Sequence, residues 1–122
     1  MTSQKFTIYH NPRCSKSRQT LQLIEQAGIQ PEIIQYLKTP LESRELKKIL
    51  KLLGMSPREL MRKKEAPYKE LGLDRPEVSE KDLLQAIVDH PILLERPIVI
   101  AGEQAVIGRP PENVLPLLGQ GT

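Results

Sequence analysis

The stretch Thr7-Ile8-Tyr9-His10-Asn11-Pro12-Arg13-Cys14-Ser15-Lys16-Ser17-Arg18 joins a strand pattern to a helix pattern and decides how the fold begins. The residues from Lys5 to Tyr9 are prone to β structure and are followed by a turn-forming Asn-Pro pair, which predicts a strand. Apolar residues then recur at helical spacing from about Ser15 to Ala27, and the helix is expected to end at Gly28. A second strand pattern over Pro31 to Leu37 completes a predicted βαβ unit with parallel strands.

Helical patterns fill the middle of the chain, from about Leu41 to Leu94. They predict an amphipathic helix that ends at Gly54, a short helix near Pro57 to Arg62, and a longer one near Glu80 to Asp89. The segment from Glu65 to Val78 contains enough proline, glycine and charge to be mostly irregular. We therefore expect these helices to form an insertion.

Strand patterns return near the end of the chain, over Pro97 to Ala101 and Gln104 to Ile107, and the two-residue gap between them predicts a hairpin. A helix from about Pro111 to Leu118 follows. Pro116 predicts that this helix is short or kinked, because an interior proline removes a backbone hydrogen bond. The order β-α-β, helices, β-β-α predicts an α/β fold in a single domain over residues 1–122.

Composition and charge exclude several classes of protein. The 122 residues are 39% apolar and 27% charged, as in one ordinary globular domain. The formal net charge of +3 is too small to indicate a nucleic-acid partner, although it suits an anionic small molecule. The apolar runs are far shorter than the ~20 residues that span a bilayer, and the first ten residues lack the pattern of a secretory signal. We therefore expect a cytoplasmic protein with no membrane partner.

The single cysteine, Cys14, lies where the first strand gives way to the first helix. One cysteine builds neither an internal disulfide nor a cysteine-based metal site, and a lone thiol suits a reducing compartment. A helix N-terminus carries unpaired N–H groups and a partial positive charge, which favour a thiolate. Arg13, Lys16 and Arg18 add to that field. These features predict a nucleophile; the alternative is a buried structural cysteine.

The spacing Cys14-Ser15-Lys16-Ser17 matches a redox Cys-x-x-Cys motif with serine in place of the second cysteine. Any redox cycle therefore needs an external thiol, such as glutathione or a partner protein. Ser17 either hydrogen-bonds the Cys14 thiolate across one turn or is an ordinary first-turn serine. The stretch does not match the tyrosine-phosphatase loop, because that loop has an arginine six residues after its cysteine, where this chain has Thr20.

Four motifs in this order resemble the glutaredoxin-coupled arsenate reductase family. They are Thr7 to Arg18 as quoted above, Leu60-Met61-Arg62-Lys63-Lys64, Glu95-Arg96-Pro97-Ile98-Val99, and Ile107-Gly108-Arg109-Pro110-Pro111-Glu112. Together they extend the match from about Phe6 to Leu118. The resemblance implies a thioredoxin-like fold with a helical insertion, at about 41–94, between its βαβ and ββα halves. It also implies a cis peptide bond before Pro97.

The resemblance assigns roles to particular residues. Cys14 is implied as the nucleophile and His10 as the histidine that tunes its thiolate, while Ser17 and Arg18 are expected to support the thiolate. Three arginines are implied to bind the oxyanion: Arg62, Arg96 and Arg109. Guanidinium groups suit this task, because each can donate hydrogen bonds to two oxygens of a tetrahedral dianion and stays charged. The residues alone leave open that Arg62 belongs to a solvated basic run and that His10 is an ordinary polar residue.

The implied activity is the reduction of arsenate to arsenite through a covalent cysteine–arsenic intermediate, with glutathione as cosubstrate and glutaredoxin as partner. We expect no metal, no bound organic cofactor, and a monomer. The same fold also serves Spx-type regulators, which sense oxidation and bind RNA polymerase. A general glutathione-dependent thiol oxidoreductase is a second alternative, since Cys-x-x-Ser suffices for that chemistry. Ser17 in place of a second cysteine, together with the three arginines, favours the arsenate reductase.

The chain resembles the shorter, chromosomal branch of the family. The longer arsenate reductases of resistance operons extend beyond the position of Leu118, and they tend to have small residues where this chain has Arg13, Ser15 and Lys16. Members of the shorter branch share the site, and arsenate need not be their main physiological substrate.

Overall fold

The sheet consists of four short strands: β1 (Phe6–Tyr9), β2 (Glu32–Ile34), β3 (Ile98–Ala101) and β4 (Gln104–Ile107). A computed structural model, which describes residues 5–39, 41–95 and 97–118, places them in the order β2-β1-β3-β4. β1 pairs in parallel with β2 and antiparallel with β3, and β3 pairs antiparallel with β4. The predicted βαβ unit and the predicted hairpin are both confirmed.

Helix α1 (Ser15–Gln26) connects β1 to β2 and is followed by Gly28, whose φ of 81° is readily adopted by glycine. Apolar residues of the sheet, α1 and the last helical turns form the core of this part of the molecule: Phe6, Ile8, Ile24, Val99, Ala101, Val114 and Leu117. Burying each of the larger side chains stabilises the fold by roughly 1.5–3 kcal/mol. The apolar face of α1 is thereby held on the sheet.

The middle of the chain is helical, as predicted. Its elements are α2 (Ser43–Leu53), α3 (Pro57–Leu60), α4 (Ala66–Glu70), α5 (Glu80–Asp89) and a 3-10 helix, Pro91–Leu93. α2 ends at Gly54, and α3 begins with a capping box between Ser56 and Glu59. α4 lies in the segment 65–78, which the sequence predicts to be mostly irregular. Pro67 favours this one-turn helix, because the first turn of a helix does not need the N–H that proline lacks.

The last described residues form two short helical pieces instead of one helix. A 3-10 helix, Pro111–Val114, runs directly into one α-helical turn, α6 (Leu115–Leu118). Pro116 is the second residue of that turn, where proline is tolerated because the N–H groups of a first turn have no intrahelical acceptor. The prediction of a short or kinked final helix is confirmed.

The chain divides into two compact units. The first takes in the described residues of Met1–Tyr36 and Arg96–Thr122, which include the sheet, α1 and α6. The second, Leu37–Glu95, contains α2 to α5, and its fully buried side chains include Leu46, Ile49, Leu60 and Ile87. No helix in the described parts of the chain is long and apolar enough to cross a membrane.

Candidate active site

Cys14 is the N-cap residue of α1, and it is partly buried. Its backbone is extended, with φ −95° and ψ 122°, and its N–H donates to the carbonyl of Asn11 at 3.0 Å. The Cys14 carbonyl accepts the first helical hydrogen bond, from the N–H of Arg18, at 3.0 Å. The first turn of α1 contains no acidic residue. Cys14 therefore lies at the positive end of the helix dipole, and no carboxylate in the first turn offsets that positive charge.

Two side chains, from Asn11 and Arg18, form hydrogen bonds with the backbone of the loop before Cys14. Asn11 Oδ1 accepts a hydrogen bond from the Arg13 N–H at 3.0 Å, which forms an Asx turn. Arg18 Nη1 donates to the carbonyl of Pro12 at 2.8 Å. The guanidinium of Arg18 thus contacts the loop that leads into Cys14, the region in which the sequence analysis predicts a role for it.

Ser17 and His10 form a buried pair one turn into the helix. Ser17 is 0% exposed and His10 is 6% exposed, and their Oγ and Nδ1 atoms lie 2.6 Å apart. The Asn11 N–H also donates to Ser17 Oγ, at 3.1 Å. Because the hydroxyl hydrogen has no other acceptor among the residues that the structure describes, we assign Ser17 as the donor and His10 Nδ1 as the acceptor. The imidazole is then neutral and carries its proton on Nε2.

The pKa of His10 supports this arrangement. Burial lowers the pKa below its ordinary value of 6.5, and the positive charge of Arg18 lowers it further, while Glu25 acts in the opposite direction. His10 is therefore neutral at neutral pH. Within the described residues, the contacts of Ser17 Oγ are with His10 and Asn11, and the hydrogen bond to Cys14 that the sequence left open is not among them.

Arg109 lies just after β4, in the same unit as Cys14, and its side chain is exposed. Its guanidinium forms no hydrogen bond or ion pair with another residue in the described ranges. The Arg109–Pro110 peptide bond is cis. The cis bond that the family resemblance implies joins Pro97 to Arg96, and Arg96 lies outside the described residues.

Arg62 lies in the other unit, where two backbone hydrogen bonds hold its segment. Its N–H donates to the carbonyl of Leu93 at 2.6 Å, and the Glu95 N–H donates to the carbonyl of Leu60 at 2.9 Å. This pairing brings the Arg62 Nε to 3.5 Å from a Glu95 carboxylate oxygen. Arg62 Nη1 lies 2.9 Å from Glu65 Oε2, although the angle does not satisfy hydrogen-bond geometry.

The surroundings of Arg62 distinguish it from its basic neighbours. Its side chain is 20% exposed, whereas Lys63 and Lys64 are both exposed. Glu65 and Glu95 place two carboxylates beside one guanidinium. Arg62 is therefore a partly buried, paired cation and does not behave as one member of a solvated run.

The structure brings four of the predicted residues together in the loop before α1 and in its first turn: His10, Cys14, Ser17 and Arg18. The sequence indicates Asn11 as a turn residue, but sequence reasoning missed its hydrogen bonds with Arg13 and Ser17. It also missed the pairing of Arg62 with Glu95, for which no local sequence signal exists. Within the described residues, no group of three or more His, Cys, Asp or Glu side chains is placed to hold a metal ion.

Comparison with known proteins identifies the relatives of this chain. Residues 9–117 match the ArsC family. The chain is 57% identical, over 98% of its length, to the uncharacterized protein YfgD of Escherichia coli (strain K12), which is covered completely. It is 56% identical, over 88% of its length, to an arsenate reductase of Neisseria meningitidis serogroup A, of which 92% is covered. A solved arsenate reductase from Vibrio cholerae has a TM-score of 0.91 and 48% identity, covering 94% of this chain and 98% of that one.

These matches agree with the four motifs and with the observed topology. The fold is the expected thioredoxin-like α/β fold, with helices inserted between its βαβ and ββα halves. The matched region includes the cysteine loop, the Arg62 segment and the Arg109 segment. Because the family match extends over most of the chain and the relatives are more than half identical, the chain belongs to the ArsC family.

Proposed function

We propose that this protein reduces arsenate, or a closely similar oxyanion, with Cys14 as the nucleophile. The observation that carries the proposal is the position of Cys14, a partly buried thiol at the N-cap of α1 with no acidic residue in the first turn. A thiolate at that position is stabilised by the helix dipole and is the form that attacks. Relatives named arsenate reductases, at 56% and 48% identity, support the choice of substrate.

Three arginines are proposed to bind the oxyanion: Arg62, Arg96 and Arg109. The structural support is clearest for Arg109, because its guanidinium is exposed and has no ionic partner among the described residues. Such a group binds an anion without first losing another contact. Planar guanidinium groups match pairs of oxygens on a tetrahedral dianion and remain charged throughout the reaction.

The proposed reaction begins when the Cys14 thiolate attacks arsenic(V). One arsenate oxygen leaves as water after protonation, and a Cys14–S–As bond forms. The guanidinium groups offset the negative charge that the oxygens carry in the transition state. The thiol of glutathione then displaces a second oxygen, also as water, so that arsenic(V) carries both sulfur atoms.

Reduction occurs when a thiolate of glutaredoxin attacks the glutathione sulfur. A disulfide forms between glutaredoxin and glutathione, and the electron pair of the glutathione S–As bond passes to arsenic, which becomes arsenic(III). Water then hydrolyses the Cys14–S–As bond, which releases arsenite and returns the thiol. Glutathione acts as a cosubstrate, and the single cysteine of the chain explains why an external thiol is needed.

The other residues of the loop are proposed to hold Cys14 in place. Neutral His10 binds Ser17, Ser17 binds the backbone of Asn11, and Arg18 binds the backbone of Pro12. These bonds fix both sides of the turn that ends at Cys14. His10 is therefore proposed to influence the thiolate through the geometry of the loop, while Arg18 contributes a positive charge close to it.

The test is an NADPH-coupled assay of arsenate reduction that supplies glutathione, glutaredoxin and glutathione reductase. We expect arsenate-dependent turnover in the unmodified protein and only background turnover in Cys14→Ser, because a hydroxyl is a far weaker nucleophile than a thiolate. Ser15→Ala, at the exposed neighbouring position, is the matched control and should retain turnover. Full turnover in Cys14→Ser would show that the proposed mechanism is wrong.

A further inference from the structure

One face of α1 carries polar side chains near its start and apolar ones farther along. Cys14, Ser17, Thr20 and Ile24 follow one another at helical spacing, and the last three are fully buried. Ser17 binds the segment that follows β1, through His10 and Asn11. Thr20 is the next buried polar residue on this face, and the proposed mechanism does not use it.

Thr20 connects α1 to the segment that follows β4. Its single hydroxyl hydrogen is shared between two acceptors, the carbonyl of Lys16 at 2.8 Å, within the helix, and the carbonyl of Gly108 at 3.3 Å. The contact with Gly108 joins residues 88 positions apart in the chain. It reaches the backbone group that directly precedes Arg109.

The approach of Gly108 to α1 is unusually close. A Cβ atom at Gly108 would lie 2.5 Å from Thr20 Oγ1 and 2.9 Å from Pro97 Cγ, so the absence of a side chain permits this packing. The Gly108 N–H also donates to the carbonyl of Pro97 at 2.9 Å. The residue before Arg109 is thus packed between the helix that begins at Cys14 and the segment that begins β3.

Asn113 holds the same segment from the other side. Its Nδ2 donates to the carbonyl of Ile107 at 3.1 Å and to the carbonyl of Arg109 at 3.2 Å. Thr20 and Asn113 therefore fix the backbone on both sides of the Arg109 Cα, while the Arg109 guanidinium itself stays exposed. A backbone that is already fixed has less conformational entropy left to lose when the Arg109 side chain binds an anion.

We propose that Thr20 is a positioning residue that holds Arg109 ready to bind the oxyanion. The inference rests on the proposed function insofar as Arg109 binds that anion. The position of Arg109 relative to α1 then depends on a hydroxyl on the same helical face as Cys14, so one helix organises both the nucleophile and an anion-binding arginine.

The first test compares Thr20→Val, which keeps the shape and removes the hydroxyl, with Thr20→Ser, which keeps the hydroxyl. We expect Thr20→Val to raise the KM for arsenate roughly three- to tenfold, the range that one neutral hydrogen bond is worth, with kcat nearly unchanged. Thr20→Ser should stay close to the unmodified protein. If Thr20→Val folds poorly, Asn113→Ala is a second variant, at an exposed position, and it should raise the KM in the same way.

The second test asks whether the effect passes through Arg109. In an Arg109→Ala background, Thr20→Val should change the KM less than about twofold, because residues that act through one contact are not additive. Additive effects would overturn the inference. The rate of Cys14 alkylation by iodoacetamide should be the same in Thr20→Val and the unmodified protein. A large change in that rate would show that Thr20 acts on Cys14 and would overturn the inference.

Backbone NMR relaxation separates this inference from the proposed function. The Arg109 amide should gain fast motion in Thr20→Val and not in Thr20→Ser. If the unmodified protein does not reduce arsenate but this difference is seen, the proposed substrate is wrong and the positioning role stands. If arsenate is reduced and neither the KM nor the Arg109 motion changes in Thr20→Val, the positioning role is wrong.

Discussion

The hydroxyl of Ser17 lies buried between the end of a strand and the start of a helix. It accepts a hydrogen bond from the Asn11 N–H and donates its one hydrogen to His10 Nδ1. Each of the three residues satisfies a polar group of another, and His10 and Ser17 are both buried. At the scale of single residues, this short chain of bonds determines the shape of the loop that carries Cys14.

Ser17→Ala should lower the free energy of unfolding by about 1–3 kcal/mol, because it leaves His10 Nδ1 and the Asn11 N–H without their partner. Urea denaturation measures the change. Ser15→Ala in the same turn is the matched control, and its exposed side chain predicts a change within about 0.5 kcal/mol. Equal losses in the two variants would contradict the role of the Ser17 hydroxyl.

The lowered pKa of His10 predicts how stability depends on pH. Below its ordinary pKa of 6.5, the imidazole binds a proton more readily in the unfolded chain than in the folded one. The free energy of unfolding should therefore have its full value above pH 6.5. It should decrease as the pH falls from 6.5 toward the lowered pKa of folded His10. Replacing His10 with glutamine should remove this part of the pH dependence.

Urea denaturation at pH 7.5 and pH 5.5 checks this expectation for the unmodified protein and for His10→Gln. His90→Gln measures the contribution of the other histidine of the chain for comparison. The same loss of stability between the two pH values in the unmodified protein and His10→Gln would show that His10 is not responsible.

At the scale of elements, Arg58 ties a short helix to the segment that follows it. Its Nη1 donates to the Tyr68 hydroxyl at 2.9 Å and to the carbonyl of Leu73 at 2.6 Å, and its Nη2 donates to the carbonyl of Arg75 at 3.0 Å. One guanidinium in α3 therefore holds α4 and the turns after it. The sequence shows no sign of this role, because the acceptors are mostly backbone carbonyls.

Arg58→Lys should lower the free energy of unfolding by about 1.5–3 kcal/mol, the worth of a hydrogen bond to a charged group. A lysine ammonium keeps the charge, but it cannot reach three acceptors as the planar guanidinium does. Arg44→Lys, on the exposed side of α2, is the matched control and should have no measurable effect in the same denaturation experiment. An equally small effect of Arg58→Lys would contradict its role.

The ends of several helices follow from local sequence signals, whereas the existence of α4 does not. Gly54 stands directly after α2, and Gly28 follows α1 after the single C-cap residue Ala27, close to the predicted ends. These predictions succeed because the conformation of a helix end depends on a few adjacent residues. α4 is a single turn, and its apolar periodicity is too short to distinguish from irregular chain.

At the scale of the whole molecule, the net charge of +3 conceals how differently its arginines are placed. Arg62 lies beside two carboxylates, so its charge is largely offset within its own unit. Arg109 is exposed and has no ionic partner among the described residues. Of these two arginines, Arg109 is therefore the one whose charge is available to a bound anion without the loss of an ion pair.

Arg109→Ala should therefore separate the proposed reduction of arsenate from the alternative, the reduction of mixed disulfides. Arsenate reduction should fall by about 10²-fold, the usual effect of removing one group that stabilises charge in a transition state. Reduction of a glutathione mixed disulfide should change by less than about threefold, because that reaction forms no oxyanion. A change of that size is typical of substituting an exposed residue. Arg44→Ala is the matched control for the loss of one exposed positive charge. Equal losses in both reactions would favour a general thiol oxidoreductase.

The order of the four strands and of the longer helices, the N-cap position of Cys14 and the family membership follow from the sequence alone. They rest on periodicity, turn residues and short motifs, each of which is contained in neighbouring residues. The partners of the polar side chains depend on the tertiary structure: Ser17 with His10, Arg62 with Glu95, and Thr20 with Gly108. No sequence pattern specifies these pairs, because they form only when packing of the apolar core brings distant backbone segments within hydrogen-bonding distance.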